Sequence, residues 1–313
     1  MEKEYLPHTK DKIAAAEVTS WAFRKYQRER KESLKKLVEG SRLVDTPCGH
    51  IEVATAGNGP AVLLIHGAAG GYDQGLLHGY SLPEAGFKVI SISRPGYLRT
   101  PLETGRTPEE QADVYAALLD EIGIEKAALF GISAGGMSSV QFNLRHPHRC
   151  WGLILVSAVT AALPQRTTSL THLAPLISAS DYVPWLFMKP TTIYILRPKI
   201  RAQIKGDPKK VALLEEMVQT VYPTSMRISG ALNDGEQIKN LPNLPLDEIK
   251  APTLVIHGEN DSLVPFEIGE RSAKQIPNAD FLPIPKGTHY CILTHLEQTH
   301  PAILKFLKKN APK

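Results

Sequence analysis

Hydrophobic positions along the chain follow two different periods. Over residues 10–40 the apolar side chains recur at roughly helical spacing, and Gly40 ends the pattern. Short alternating segments around a Pro-Cys-Gly turn come next and predict a β-hairpin. From residue 61 onward the pattern changes to continuous apolar runs of strand length, which are typical of strands buried on both faces of a parallel sheet.

Strands and helices alternate through most of the chain. The predicted strands are residues 61–67, 88–96, 127–131, 151–159, 252–258 and 279–285, and the predicted helices are residues 107–123, 134–146, 266–276 and 295–309. The first of these helices has a capping box, with Thr107 as the cap, Pro108 in the first helical position and Glu110 closing the box. This alternation predicts an α/β fold with a mainly parallel sheet flanked by helices.

Residues 160–247 break the alternation and are rich in proline. An insertion of this kind between two core strands predicts a helical cap over the carboxyl edge of the sheet. The predicted domains are therefore an N-terminal helical extension at 1–41, an α/β core at 42–159 and 248–313, and the cap. The basic N-terminal helix is expected to pack on the main domain, and contact with an anionic membrane or a partner is the alternative.

Composition narrows the classes of function. Of the 313 residues, 42% are hydrophobic and 22% are charged, which is typical of soluble globular proteins and excludes a disordered chain. The net charge is +4, and residues 1–40 contain ten Lys or Arg and seven Asp or Glu, so the rest is almost neutral. Nucleic acid is therefore not an expected partner. No apolar run has the length of a membrane span and no signal peptide is visible, so we expect a cytoplasmic protein. The oligomeric state is left open.

The three cysteines do not form a recognisable site. Cys48, Cys150 and Cys291 are far apart and odd in number, which argues against a disulfide framework or a zinc site. We interpret them as small core side chains. The sequence predicts no metal and no cofactor.

A serine between a predicted strand and a predicted helix is the strongest candidate for chemistry. Residues 131–135 read Gly-Ile-Ser-Ala-Gly, with Ser133 at the centre. A nucleophilic serine needs a tight, strained turn that lifts it above the sheet, with small neighbours that let other segments approach. The pattern alone is common, but its position between strand and helix makes Ser133 a candidate nucleophile.

A glycine-rich segment follows an earlier strand and could supply an oxyanion hole. Residues 66–71 read His-Gly-Ala-Ala-Gly-Gly. A backbone N–H here and the N–H after the serine would be the two donors, which are those of Ala68 and Ala134. The alternative is a simple strand-to-helix turn. The spacing fits neither a dinucleotide fingerprint nor a phosphate-binding loop.

Candidates for the base and its orienting acid stand after the last two strands. Asp261 follows the strand at 252–258, and His289 follows the strand at 279–285. The order Ser, Asp, His, each at the carboxyl end of a strand, suits this type of sheet. Glu259 is the alternative acid. Of the other histidines, those expected to be structural are His257, His295 and His300.

These motifs together resemble the α/β-hydrolase superfamily, in its capped, serine-esterase-like branch. The resemblance covers residues 42–313 and rests on the segments HGAAGG, RPGY (94–97), GISAGG, PTLVIHGENDSLVP and GTHY in family order; residues 227–234 also look like bacterial members. It implies the α/β-hydrolase fold with Ser133 as nucleophile, Asp261 as acid, His289 as base, and Ala68 and Ala134 as oxyanion donors.

The sequence thus predicts a serine hydrolase that cleaves a small carboxylic ester or related acyl compound through an acyl-enzyme. Hydrolysis of a carbon–carbon bond, thioester hydrolysis and acyl transfer use the same triad and stay open as alternatives. A catalytically silent ligand-binding protein on the same fold is an alternative of another class.

An apolar cluster in the predicted cap is a candidate for substrate binding. Residues 182–188 read Tyr-Val-Pro-Trp-Leu-Phe-Met. Trp185, Phe187 and Met188 are the candidate pocket residues, since acyl pockets are mostly apolar. The alternative is that the cluster only attaches the cap to the sheet.

Overall fold

The computed structural model describes residues 9–163, 181–187 and 198–312, and this part of the chain is built on one eight-stranded sheet. The strands are β1 Arg42–Thr46, β2 Gly49–Ala56, β3 Ala61–Ile65, β4 Lys88–Ile92, β5 Ala127–Ile132, β6 Cys150–Val156, β7 Thr253–Gly258 and β8 Ala279–Ile284. Their order is β1-β2-β4-β3-β5-β6-β7-β8. Strand β2 is antiparallel to both of its neighbours, and all pairs from β4 to β8 are parallel. The prediction of a mainly parallel sheet is confirmed.

One long helix precedes the sheet in the chain, and the other helices follow or connect its strands. They are α1 Thr9–Glu39, α2 Tyr72–His78, α3 Pro108–Glu121, α4 Gly135–Arg145, α5 Tyr182–Phe187, α6 Pro198–Ile204, α7 Pro208–Gln219, α8 Ile228–Lys239, α9 Phe266–Gln275, α10 Cys291–Thr294 and α11 Leu296–Asn310. The sequence pattern missed α2, which has seven residues and therefore less than two full periods of hydrophobic repeat. It also extended the last helix over His295, which separates α10 from α11.

The continuous apolar runs are explained by burial on both faces of the sheet. All five residues of β3 are buried. Leu63 and Ile65 belong to a core shared with α3 and α4, whereas Val62 and Leu64 belong to a second core shared with α2 and α11. Because side chains alternate along a strand, every position of a central strand contacts one core or the other. The central strands are therefore buried by a helix layer on each face of the sheet.

The start of α3 is built as its sequence predicts. The N–H of Glu110 donates to Thr107 Oγ1 at 3.2 Å, and Glu110 Oε2 accepts from the N–H of Thr107 at 3.0 Å. Pro108 occupies the first helical position. This capping box satisfies two backbone donors at the helix terminus, so the local prediction is confirmed.

The described part of the predicted cap segment contains four α-helices joined by turns and loops. These are α5 to α8, and the boundaries of the segment at 160 and 247 stay a prediction. Helix α8 contacts the turn after β4 directly, because the N–H of Gly230 donates to the carbonyl of Gly96 at 2.8 Å. A Cβ atom at Gly230 would overlap the ring of Tyr97, so only glycine allows this close approach.

Helix α1 packs against α5, the first described helix of the predicted cap segment. The indole N–H of Trp185 donates to Glu29 Oε2 at 2.7 Å, and its ring centroid lies 5.8 Å from that of Tyr26. Arg30 Nε donates to Asp181 Oδ2 at 2.8 Å, directly before α5. The sequence predicted that this helix packs on the main domain. Its last turn does so, because Leu37 is buried with Ala54 of β2 and Tyr72 of α2, whereas the contacts of Glu29, Tyr26 and Arg30 are made with the predicted cap segment.

Two of the three cysteines are core side chains, and the third is not. Burial raises the pKa of the Cys150 thiol to about 11 and that of Cys291 to about 12, so both are unreactive thiols at neutral pH. Cys48 is exposed because it lies in the turn between β1 and β2, and its assignment to the core was wrong. None of the helices in the described ranges is long and apolar enough to cross a membrane.

Candidate active site

Ser133 lies on a strained turn between β5 and α4. Its φ angle is 51°, in the left-handed region that a side chain makes unfavourable. The N–H of Ser133 donates to the carbonyl of Val156 at 3.1 Å, and the carbonyl of Ser133 accepts from the N–H groups of Gly136 at 3.0 Å and Val159 at 2.8 Å. These bonds to β6, to the segment after it and to the first turn of α4 hold the conformation, which lifts the serine above the sheet.

Two glycines let the neighbouring segments approach this turn. A Cβ atom on Gly67 would lie 3.0 Å from the Cβ of Ser133. A Cβ atom on Gly135 would lie 2.7 Å from the carbonyl oxygen of His66. Both distances are shorter than a normal van der Waals contact, so the strand end at 65–67 can lie against the serine turn only without these side chains.

Asp261 and His289 form a hydrogen-bonded pair. Asp261 Oδ2 lies 2.8 Å from His289 Nδ1. The other carboxylate oxygen accepts from the N–H groups of Leu263 and Val264, each at 2.9 Å. When the neutral imidazole donates through Nδ1–H to the carboxylate, its Nε2 is left as a proton acceptor. This is the arrangement that a general base needs.

The carboxylate of Asp261 is held in its ionised form. Burial by itself would raise the pKa of Asp261, but hydrogen bonds from His257, His289 and the N–H of Val264 lower that pKa well below its ordinary value. His257 Nε2 lies 3.5 Å from Asp261 Oδ2 and 3.0 Å from the carbonyl of Val264. His257 is therefore a buried neighbour of the acid, in agreement with its structural interpretation.

The loops after β7 and β8 are joined by backbone bonds, which brings the acid to the base across 28 residues. The N–H of Asn260 donates to the carbonyl of Gly287 at 2.7 Å, and the N–H of Glu259 donates to the carbonyl of Ile284 at 3.1 Å. The side chain of Glu259, the alternative acid, is exposed. The structure therefore brings Asp261, and not Glu259, to His289.

The backbone N–H groups of Ala68 and Ala134, the two predicted oxyanion donors, make no hydrogen bond within the described part of the chain. Ala134 precedes α4, so its N–H belongs to the partly positive N-terminal end of that helix. Free N–H groups at these two positions could stabilise a negative oxygen next to Ser133.

The serine and the histidine are not joined by a hydrogen bond within residues 9–163, 181–187 and 198–312. Both side chains are partly exposed, as groups that meet a substrate must be. Hydrogen bonds of this kind are often long in enzymes without substrate and shorten in the complex. The described geometry thus contains an oriented Asp–His pair and a raised serine at the carboxyl edge of one sheet.

Two buried arginines, for which the sequence pattern predicted no role, lie beside the glycine-rich segment at 66–71. Arg94 forms two hydrogen bonds with Asp234, at 2.8 and 2.5 Å, and the side chains of both residues are at most 2% exposed. Arg227 forms two with Asp73, at 3.2 and 2.8 Å. Each arginine is neutralised by a carboxylate, so neither presents a full positive charge to a substrate. In the sequence, the segments 94–97 and 227–234 that contain these arginines were notable only because they resemble the α/β-hydrolase superfamily.

Of the three candidate pocket residues in the predicted cap segment, Trp185 is the one whose side chain lies within the described residues. Trp185 contacts α1 through Glu29 and Tyr26, as described above. Phe187 ends α5, and its side chain and the whole of Met188 lie outside the described residues. A pocket role for these three residues stays a prediction.

Comparisons with known proteins agree with this architecture. A family described as alpha/beta hydrolase fold matches residues 60–190. An alpha/beta hydrolase fold protein from Nakamurella multipartita is 32% identical, with a TM-score of 0.72, covering 86% of this chain and 99% of its own. A thermophilic esterase from Thermogutta terrifontis, 23% identical, has a TM-score of 0.69 over 87% of this chain and 99% of its own, and it supports the fold alone.

A relative with a named substrate is a 2-hydroxy-6-oxononadienedioate/2-hydroxy-6-oxononatrienedioate hydrolase from Burkholderia vietnamiensis. It is 29% identical over 267 residues, which cover 80% of this chain and 87% of the relative.

Proposed function

The chain belongs to the α/β-hydrolase superfamily, and we propose that it is a serine hydrolase of small acyl compounds, with a carboxylic ester as the first candidate substrate class. The observation that carries the proposal is the hydrogen bond between Asp261 and His289, because it leaves His289 Nε2 as a base at the sheet edge where Ser133 is raised. The protein is a hydrolase; the serine nucleophile, the Ser-Asp-His triad and the ester substrate are the parts that we propose.

In the proposed reaction His289 accepts the proton of Ser133 as the serine oxygen attacks the substrate carbonyl. The N–H groups of Ala68 and Ala134 stabilise the oxyanion, and protonated His289 then donates its proton to the leaving group. Water, deprotonated by His289, releases the acid from the acyl-enzyme. Asp261 remains ionised throughout and stabilises the imidazolium that forms in each half of the cycle.

Hydrolysis of a carbon–carbon bond is the second candidate. The relative from Burkholderia vietnamiensis, by its name, hydrolyses a dienedioate, and other relatives with 24–29% identity have the same or a nearly identical name. Such a substrate carries two carboxylates, and its binding would require cationic groups. The two arginines beside the glycine-rich segment at 66–71, Arg94 and Arg227, are each paired with a carboxylate, Asp234 and Asp73, so neither is available to bind a carboxylate of such a substrate.

Turnover against two kinds of substrate tests the proposal. We expect hydrolysis of p-nitrophenyl esters graded by acyl chain length, at rates well above those of the Ser133→Ala variant. The same protein is assayed with 2-hydroxy-6-oxononadienedioate. If kcat/KM for the dienedioate exceeded that for every ester by a hundredfold or more, the second candidate would replace the first.

A fluorophosphonate probe separates an enzyme from a silent ligand-binding protein. Such a probe reacts only with an activated serine, so we expect covalent labelling of the wild-type protein and none of the Ser133→Ala variant. Wild-type protein that is folded but remains unlabelled would contradict the proposed mechanism for esters and carbon–carbon bonds alike.

A further inference from the structure

A buried hydrogen-bond network connects cap helix α8 to the peptide that carries the N–H of Ala68. His66 Nδ1 lies 2.7 Å from the carbonyl oxygen of Gly67, and His66 Nε2 accepts from the backbone N–H of Arg94 at 3.0 Å. An imidazole whose Nε2 accepts must carry its proton on Nδ1, so Nδ1–H donates to Gly67. Burial, with the positive charge of Arg94, also lowers the pKa of His66 well below its ordinary value, which keeps the ring neutral.

The carbonyl of Gly67 and the N–H of Ala68 belong to the same planar peptide group. They point in opposite directions, so a donor that holds the carbonyl from one side aims the N–H toward the other. Through this bond His66 holds the orientation of the proposed oxyanion donor, together with the N–H of Gly70, which donates to the same carbonyl at 3.3 Å.

Tyr97 holds the next peptide. Its hydroxyl oxygen accepts from the N–H of Ala69 at 3.4 Å and donates to Asp234 Oδ2 at 2.5 Å. Ala69 has a φ angle of 60°, a left-handed conformation that is unfavourable for a residue with a side chain. A strained residue of this kind persists only where its surroundings hold it, and the Tyr97 hydroxyl is one of those contacts. The ring of Tyr97 also lies edge-on against His66, with centroids 4.7 Å apart.

Asp234 on α8 organises this network from the cap side. Its carboxylate accepts hydrogen bonds from both terminal nitrogens of Arg94 and from the hydroxyl of Tyr97, and all three side chains are buried. Arg94 Nε in turn donates to the carbonyl of His66 at 2.9 Å. Without Asp234 the guanidinium would be an unpaired buried charge, and the Tyr97 hydroxyl would lose the acceptor that orients its lone pairs toward Ala69.

We propose that Tyr97 and Asp234 are positioning residues for the oxyanion hole: acting through His66 and Ala69, they hold the N–H of Ala68 in the orientation that the reaction requires. This inference rests on the proposed serine-hydrolase function. Its consequence is that the cap segment contributes to transition-state stabilisation through α8, 140 residues away in sequence from Arg94.

The variant Tyr97→Phe tests the inference, because it removes one hydroxyl and keeps the ring that packs on His66 and Gly230. We expect kcat for esters to fall about 10- to 100-fold with KM changed less than about twofold, since a misplaced oxyanion donor weakens only the transition state. The affinity for a trifluoromethyl ketone, which forms a tetrahedral oxyanion on the serine, should fall by a similar factor.

Tyr115→Phe is the matched control. The Tyr115 hydroxyl is also buried, and it bonds Gln111 and Ser138 on α3 and α4. Its loss should lower stability by a comparable amount and leave both kcat and trifluoromethyl ketone affinity within about twofold. If Tyr97→Phe behaved like this control, the positioning role would be wrong.

The variant Asp234→Asn tests the positioning role independently, because it changes the partner that α8 provides for Tyr97 and Arg94. It keeps the shape of the side chain and removes the charge, and we expect the same pattern of lower kcat and weaker ketone binding at unchanged KM. Normal kinetics in folded Asp234→Asn would overturn the role of Asp234, and if this variant did not fold, Tyr97→Phe alone would decide. Wild-type protein without esterase activity and without probe labelling would instead refute the proposed function itself.

Discussion

The carboxylate of Asp261 is shared between His289 and the backbone of its own loop. One oxygen lies 2.8 Å from His289 Nδ1, and the other accepts the N–H groups of Leu263 and Val264 at 2.9 Å each. The carboxylate is therefore fixed in position before it orients the histidine.

The first prediction concerns the nucleophile. Replacement of Ser133 by alanine should lower kcat for esters by about 10⁴–10⁶-fold, because the nucleophile and the base act as a unit. Alanine is compatible with the turn, so urea unfolding should change by less than about 1 kcal/mol. Retention of more than about a tenth of the wild-type rate would show that another group attacks the substrate.

The second prediction distinguishes the two candidate acids. Asp261→Asn should lower kcat by about 10³–10⁴-fold, because an amide can no longer hold His289 with its proton on Nδ1. Glu259→Gln is the matched control, since Glu259 stands two residues earlier with an exposed side chain, and its kcat should stay within about twofold. The reverse result would make Glu259 the acid.

The third prediction concerns stability at acid pH. Burial lowers the pKa of His78 to about 4 in the folded protein, whereas a histidine in an unfolded chain titrates near about 6.5. Between these values the unfolded chain binds a proton that the folded protein does not, so the free energy of unfolding falls as the pH falls from about 6.5 to about 4. Above about 6.5 this group contributes no pH dependence, and below about 4 its effect levels off.

Urea unfolding of His78→Gln at pH 7.5, 5.5 and 4.5 measures this contribution. The wild-type protein should lose roughly 2–3 kcal/mol more than the variant between pH 7.5 and pH 4.5. A residual slope is expected in the variant, because burial also lowers the pKa of His66 and lowers that of His300 to about 4. His148→Gln, at an exposed position, should keep the wild-type slope, and an equal slope in His78→Gln would contradict the prediction.

The fourth prediction concerns the contact between α1 and α5. Trp185→Ala removes the hydrogen bond to Glu29 and the ring contact with Tyr26, which together should stabilise α1 by about 1–2 kcal/mol. We expect trypsin to cleave within α1 about 5- to 30-fold faster in this variant. Trp21 on the same helix is 60% exposed, so Trp21→Ala should leave the cleavage rate near that of the wild type.

The same Trp185→Ala variant tests the predicted pocket role of the cap cluster. If Trp185 lines the acyl pocket, the preference for longer acyl chains should flatten while acetyl-ester turnover stays within about threefold. An unchanged chain-length profile together with faster cleavage of α1 would assign the residue to packing alone.

The sequence by itself determined the elements and the local shape of the candidate site. Strand length, apolar periodicity and turn residues predicted the parallel sheet, and the capping box at Thr107 predicted the start of α3. The Gly-Ile-Ser-Ala-Gly turn predicted a raised Ser133, which has its left-handed φ of 51° in the structure. These features are readable because they depend on backbone geometry within a few residues, and that geometry repeats with a fixed period.

Only the tertiary structure decided how distant side chains pair. The order of motifs suggested Asp261 as the partner of His289, but the choice over Glu259 depends on the backbone bonds that join the two loops. Asp234 and Arg94 are 140 residues apart, and Trp185 and Glu29 are 156 apart, with no local pattern that links either pair. Such pairs form where packing brings two buried or partly buried polar groups together and each must find a partner, a condition that is met only in the folded protein.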